Sequence, residues 1–106
     1  MIPVPKVKRV DNRALIDALK RIVTWCEWCG VPKHRSPWPL DPHHIKTRGA
    51  GGGDTLDNLV ILCRLHHEEA QTYKIHRAAL IALTGPRQRD PFWQRVERGE
   101  EAACAH

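Results

Sequence analysis

Phenylalanine, tyrosine and methionine occur once each in this chain of 106 residues, and aromatic residues make up 6% of it. So thin an aromatic content argues against a protein that grips single strands by stacking on their bases. No run of 18 apolar residues occurs, which excludes a membrane-spanning helix of ordinary length. The N-terminus lacks the charged-then-apolar pattern of a secretory leader, so the expected compartment is the cytoplasm. Cysteines stay reduced there, and four of them serve a metal better than two disulfides. Acidic residues are also scarce. Twelve Asp and Glu face seventeen Lys and Arg, for a net charge of +5 and a pI near 9.3.

The excess charge gathers in the first 40 residues, where eight bases (Lys6, Lys8, Arg9, Arg13, Lys20, Arg21, Lys33, Arg35) meet three acids (Asp11, Asp17, Glu27). A polyanion such as nucleic acid fits that balance, though basic residues also solvate ordinary surfaces. The length suits one domain. A core this small gains from a structural metal.

The donors for such a metal are present. Cys26-x-x-Cys29 and Cys63-x-x-His66 have the ligand types and knuckle spacing of a closed tetrahedral zinc site. Inside that bracket lie Asp41-Pro42-His43-His44-Ile45 and Asp57-Asn58-Leu59, and His67 follows His66 at once. These inner polar residues are left over by the zinc. Their natural use is a second metal with a coordination position open for chemistry.

The periodicity supplies a scaffold. Residues 1–10 read as a basic, extended arm. A helix is expected from Asp11 or Asn12 to about Trp25, its core stripe being Ala14, Leu15, Ala18, Leu19, Ile22 and Val23. Gly30 allows the knuckle turn. Four prolines make 31–42 irregular, with Trp38 as a packing residue. His43–Lys46 and Leu59–Leu62 are short strand candidates joined by a glycine-rich turn. Helix is expected from Arg64 to about Tyr73, again from Ile75 to Leu83 with Gly85-Pro86 as its stop, and over Pro91 to Val96. Residues 99–106 read as a frayed tail, with Cys104 a free thiol. The single domain should occupy 11–98. The fold class is α+β, a small mainly helical domain.

Strand, glycine-rich connection, strand and a helix opening on histidine make a ββα unit, with its core at about 42–73. In His43-His44-Ile45, Gly51-Gly52, Asp57-Asn58-Leu59 and Leu62-Cys63-x-x-His66-His67 the sequence resembles the HNH nucleases, whose core is the ββα-metal finger. The resemblance covers about residues 26–70. It implies a metal-dependent endonuclease that hydrolyses DNA phosphodiesters and nicks with weak sequence preference. It gives His44 the general-base role, since histidine exchanges protons near neutral pH. It gives one divalent cation to His43 and His67, and to Asn58 the task of tying the turn between the strands. Asp57 caps or buttresses that turn. His43 stands where many relatives have Asp, which shifts preference from Mg²⁺ toward Mn²⁺, Ni²⁺, Co²⁺ or Zn²⁺. His66 stands where many have Cys, and Cys3His is an ordinary zinc set.

Helix geometry then separates two neighbours. Cys63 and His66 share a face, so His66 suits the zinc, while His67 points about 100° away, toward the hairpin. Strict strand alternation poses the opposite problem, sending His43 and His44 to opposite faces unless the metal sits at the strand edge. Arg48 is a candidate clamp for the scissile phosphate. Gln71 and Lys46 rank below it, His34 reads as a loop residue, and His76 and His106 have no role. The expected partner is double-stranded DNA, and the resemblance implies service in phage packaging, restriction or mobile elements. Two rival readings stand beside the DNA nuclease: a zinc-stabilised DNA-binding module that does not cut, and an RNase of the same fold.

Overall fold

The computed structural model describes residues 10–100. Residues 1–9 of the expected arm and 101–106 of the expected tail, with Cys104 and His106, lie outside the described residues. The elements run α1 (Arg13–Ile22), β1 (Asp41–His44), β2 (Leu59–Leu62), α2 (Arg64–Gln71), α3 (Arg77–Gln88) and α4 (Pro91–Glu97), with single 3₁₀ turns at Lys33–Arg35 and Arg48–Ala50. The architecture is a small α+β fold of four helices and a two-stranded antiparallel sheet. Among the described residues no helix is long and apolar enough to cross a membrane.

Asn12 caps α1, its side chain accepting from the Leu15 amide at 3.1 Å. The helix buries Leu15, Ile16, Ala18 and Leu19, so Ile16 replaces the exposed Ala14 in the expected stripe. It also ends at Ile22 rather than near Trp25. The reason lies in the next segment, which folds back on itself. Lys33 N donates to Thr24 O (2.8 Å) and Cys26 N to Val31 O (2.9 Å), and Gly30 turns the tip at φ +81°. Backbone pairing in this ribbon competes with another helical turn and wins. The ribbon docks on β2, where Glu27 N donates to Ile61 O at 2.8 Å and its carboxylate accepts from Ile61 N at 2.8 Å.

Thus β2 has the ribbon on one side and β1 on the other, and α1, α2 and α3 pack against it. All four of its residues are buried, which explains why the sequence reads there as an unbroken apolar run. β1 pairs Asp41 with Leu62 and His44 with Leu59. It occupies Asp41–His44 rather than the expected His43–Lys46, because past Ile45 the backbone is taken by a side chain. Asn58 Oδ1 accepts from Lys46 N (2.7 Å), and its Nδ2 donates to Lys46 O (3.1 Å) and Gly53 O (2.9 Å). Gly52 lies so close to this point that a Cβ would overlap the Lys46 carbonyl.

α2 and α3 are separated by a turn in which Tyr73 adopts φ 62°. Gly85-Pro86 does not stop α3, which continues to Gln88. A proline interrupts a helix by removing an amide and crowding the carbonyl four residues earlier. Here the next residue offsets that cost: Arg87 is drawn into the core and forms a bidentate pair with Glu27, with contacts of 2.7, 2.7 and 3.1 Å. Asp90 then caps α4 through the Phe92 amide.

Candidate metal centre and histidine cleft

Two donor groups share this scaffold, separated by a single helical step. Cys26 and Cys29 come from the ribbon, Cys63 from the end of β2 and His66 from the first turn of α2. Their ligand atoms all lie within 4.8 Å of one another, the one such group of three or more among the described residues. His66 Nδ1 is 3.1 Å from the Cys63 sulfur and 3.9 Å from that of Cys26. Its Nε2 faces the Glu69 carboxylate at 3.9 Å, an orientation that leaves Nδ1 for a metal.

Electrostatics favour a cation at this point. Burial pushes the Cys63 thiol up to about 11, and the charge of Cys26 and Cys29 adds to the effect. Burial also opposes ionisation of Cys26, yet backbone amides of Cys29, Cys63 and Trp28 facing its sulfur bring its pKa below the ordinary thiol value. Three crowded sulfurs and an imidazole therefore suit a zinc ion, which would relieve the repulsion among the thiolates. His34 stays exposed on the 3₁₀ turn, outside the cluster.

The second group lines a cleft of about 360 Å³. Pro42, His43, His44 and Ile45 form one wall, Thr47 and Arg48 the rim, and His67 with Gln71 the other side. Pro42, His43 and His44 of β1 reach it in succession because, among the described residues, β1 pairs with β2 alone and the cleft runs along the open edge. That position answers the alternation problem. His43 and His67 face each other edge to face with ring centroids 5.3 Å apart. Two imidazoles bound to one ion at about 2.1 Å keep their centroids roughly 5 Å apart, so the pair fits a shared cation. Burial, followed by the charges of His67, His44 and Arg77, lowers the His43 pKa to about 4. Its ring is thus neutral, with a lone pair free for a metal. Asp41 Oδ2 lies 3.6 Å from His67 Nδ1, where it can orient that ring.

His44 turns to a different partner. Its Nε2 lies 2.7 Å from Asp54 Oδ1. Asp54 is 4% exposed, and its other oxygen accepts from Asn12 N at 2.9 Å. A carboxylate held this way accepts from Nε2–H and leaves the lone pair on Nδ1.

His43, His44, Arg48 and His67 are therefore brought to one cleft. Asn58 is not; it lies behind β1 and binds backbone, as its expected task of tying the turn requires. Asp57 accepts from the Thr55 hydroxyl in that turn. Gln71 reaches the cleft wall, and Lys46 lines a separate groove. Trp38 is half-exposed beneath Arg64, rather than packed in the core. Sequence reasoning named Asp41 among the inner polar residues without giving it a role, and it missed Asp54 and Arg77 as members of this neighbourhood. Asp54 resembles a turn residue locally, and Arg77 lies ten residues beyond His67, so no spacing marks them.

Residues 26–70 match the family model described as HNH endonuclease. No curated protein matches the chain. The matched span begins at the first zinc-knuckle cysteine and ends in α2, enclosing both donor groups. Over residues 26–70 the chain is thus similar to the HNH endonucleases.

Proposed function

We propose that the protein is a metal-dependent endonuclease that hydrolyses phosphodiester bonds of double-stranded DNA, nicking one strand per event with weak sequence preference. The observation that carries this reading is the convergence of His43, His44, Arg48 and His67 on one cleft. A zinc-stabilised finger that only gripped DNA would need none of these histidines.

The roles are those the resemblance implies, and the geometry supports them. His44 is the general base. Its Nδ1 takes a proton from the attacking water while Asp54, 2.7 Å from Nε2, holds the ring and offsets the positive charge that develops. The water oxygen bonds to phosphorus as the bond to the 3′ oxygen breaks and that oxygen takes a proton from solvent, leaving a 5′-phosphate and a 3′-hydroxyl. His43 and His67 would hold one divalent cation beside that phosphate. When bound, the ion supplies Lewis-acid stabilisation of charge on the phosphate and the departing oxygen. Arg48, exposed on the rim, would offer its guanidinium to the same anion. Asn58 fixes the end of β1 and with it the direction of His44. Cys26, Cys29, Cys63 and His66 would keep a structural zinc and take no part in chemistry.

The test is conversion of supercoiled plasmid to nicked circles across Mn²⁺, Ni²⁺, Mg²⁺, Co²⁺ and Zn²⁺. Cleavage should need an added ion, and His44→Ala should slow it on the order of a hundredfold to ten-thousandfold while the protein stays folded. Wild-type rates in His44→Ala would remove the assigned base. Retention of DNA without cutting in every ion would favour the binding module, and cleavage of RNA alone the ribonuclease.

A further inference from the structure

Arg77 stands at the start of α3, beyond the segment matched by the family, and it lines two depressions at once. One is the histidine cleft. The other is a groove of about 340 Å³ formed by Lys46, Gly51, Gly52, Gly53, Asp57 and Asn58, among others. Ile45 and Arg77 are common to both, so together they form the saddle between them.

Three observations mark Arg77 as more than a solvated base. Among the described residues no carboxylate lies within ion-pair reach of it, whereas Arg13, Arg64, Arg87 and Arg98 each have one. Its guanidinium is instead braced over the Tyr73 ring, 5.6 Å from the centroid. Tyr73 itself is 68% exposed and held at φ 62°, a conformation costly for a residue with a side chain. The strained turn redirects the chain after α2 and brings α3 in with Arg77 at the cleft. An aromatic face fixes a guanidinium without neutralising it, leaving its N–H groups available to an anion.

We infer that Arg77, braced on Tyr73, forms a second phosphate subsite that holds a backbone phosphodiester of the bound strand outside the histidine cleft and leads that strand into the groove beside Lys46. The inference rests on the reading of the cleft as a phosphodiester site and extends it to substrate contacts beyond the scissile bond. The groove carries Lys46 and Arg77 against a single acid, Asp57, whose carboxylate is engaged by Thr55. A contact of this kind positions the strand and reads no base, in keeping with weak sequence preference.

The experiment is DNA binding by the full chain in a non-cutting His44→Ala background, measured by fluorescence anisotropy on a short duplex over a salt series. Adding Arg77→Ala should reduce the slope of log affinity against log salt by about one, the signature of one lost phosphate contact. Arg77→Lys should restore the slope, because the charge remains. Lys20→Ala, exposed at the end of α1 and outside both depressions, should leave it unchanged. An unaltered slope in Arg77→Ala, or an equal reduction in Lys20→Ala, overturns the subsite. A wild-type protein that binds with an Arg77-dependent slope and cuts nothing would defeat the hydrolase reading and leave the subsite standing. Cutting with a slope indifferent to Arg77 would do the reverse.

Discussion

Glu27→Ala should be among the most damaging single changes outside the two donor groups. Glu27 lies between the knuckle cysteines, and its carboxylate receives two nitrogens of Arg87 and the amide of Ile61 in β2. Arg87 is 7% exposed, and its Nε already lacks a hydrogen-bond partner. Removing the carboxylate leaves a buried guanidinium without a counter-charge, which costs about 3–5 kcal/mol. It also orphans a strand amide, itself worth about 1–3 kcal/mol and not fully additive. Keeping the charges is not cheap either: burial raises the Glu27 pKa and lowers that of Arg87. Breaking the pair should therefore hurt far more than replacing it. The measurement is urea unfolding of zinc-loaded protein. With a slope of about 1–2 kcal/mol/M for a chain of this size, Glu27→Ala should lower the midpoint by about 2–3 M. Glu27→Gln with Arg87→Met keeps the Ile61 acceptor and fills the space, and should recover most of that loss. A single-variant cost below about 1 kcal/mol, or a double variant no better than Glu27→Ala, would refute the reasoning.

Two further outcomes follow from the titrating groups. His43 is held near 4, well below the ordinary histidine value, so the folded state binds its proton more weakly than the unfolded chain. That stability is fully present above about pH 6.5 and is lost as the pH falls toward 4, about 1–3 kcal/mol in all without a bound ion at that site. Unfolding midpoints of His43→Asn should show a flatter fall over the same window, and an equal fall would contradict the assignment. At the zinc cluster, the raised Cys63 thiol must give up its proton to bind metal, so zinc affinity should rise at least tenfold per pH unit around neutrality. Competition against a chelator across pH measures this, and Cys63→Ala should leave a chain that neither holds zinc nor unfolds cooperatively.

The sequence was most legible where local pattern and tertiary demand agreed. β2 reads as an apolar run because all four residues are covered, and its expected span matches the structure residue for residue. The zinc quartet is legible because two short spacings carry it, and helix geometry correctly separated His66 from His67. Errors arose where distant partners overrode local preference. Gly85-Pro86 signals a stop, yet the pull of Glu27 on Arg87 carries α3 past it. The shift of β1 came from Asn58 capturing Lys46, which periodicity cannot register. Asp54 went unread beside His44 because ten residues of turn separate two groups that the fold brings to 2.7 Å.

Asn12 has a reach that bears on how the protein can be dissected. It caps α1, donates to the Glu97 carbonyl at the end of α4, and offers its amide to the carboxylate behind His44. Glu97 in turn accepts the Leu56 amide in the inter-strand loop. Both ends of the described chain are thus guy-ropes on the same tent pole. A fragment trimmed to 26–70 would retain the Cys3His quartet with His43, His44 and His67 and still lose the tension that holds the His44 ring upright, so minimal versions should be sought by loop surgery rather than by shaving the termini.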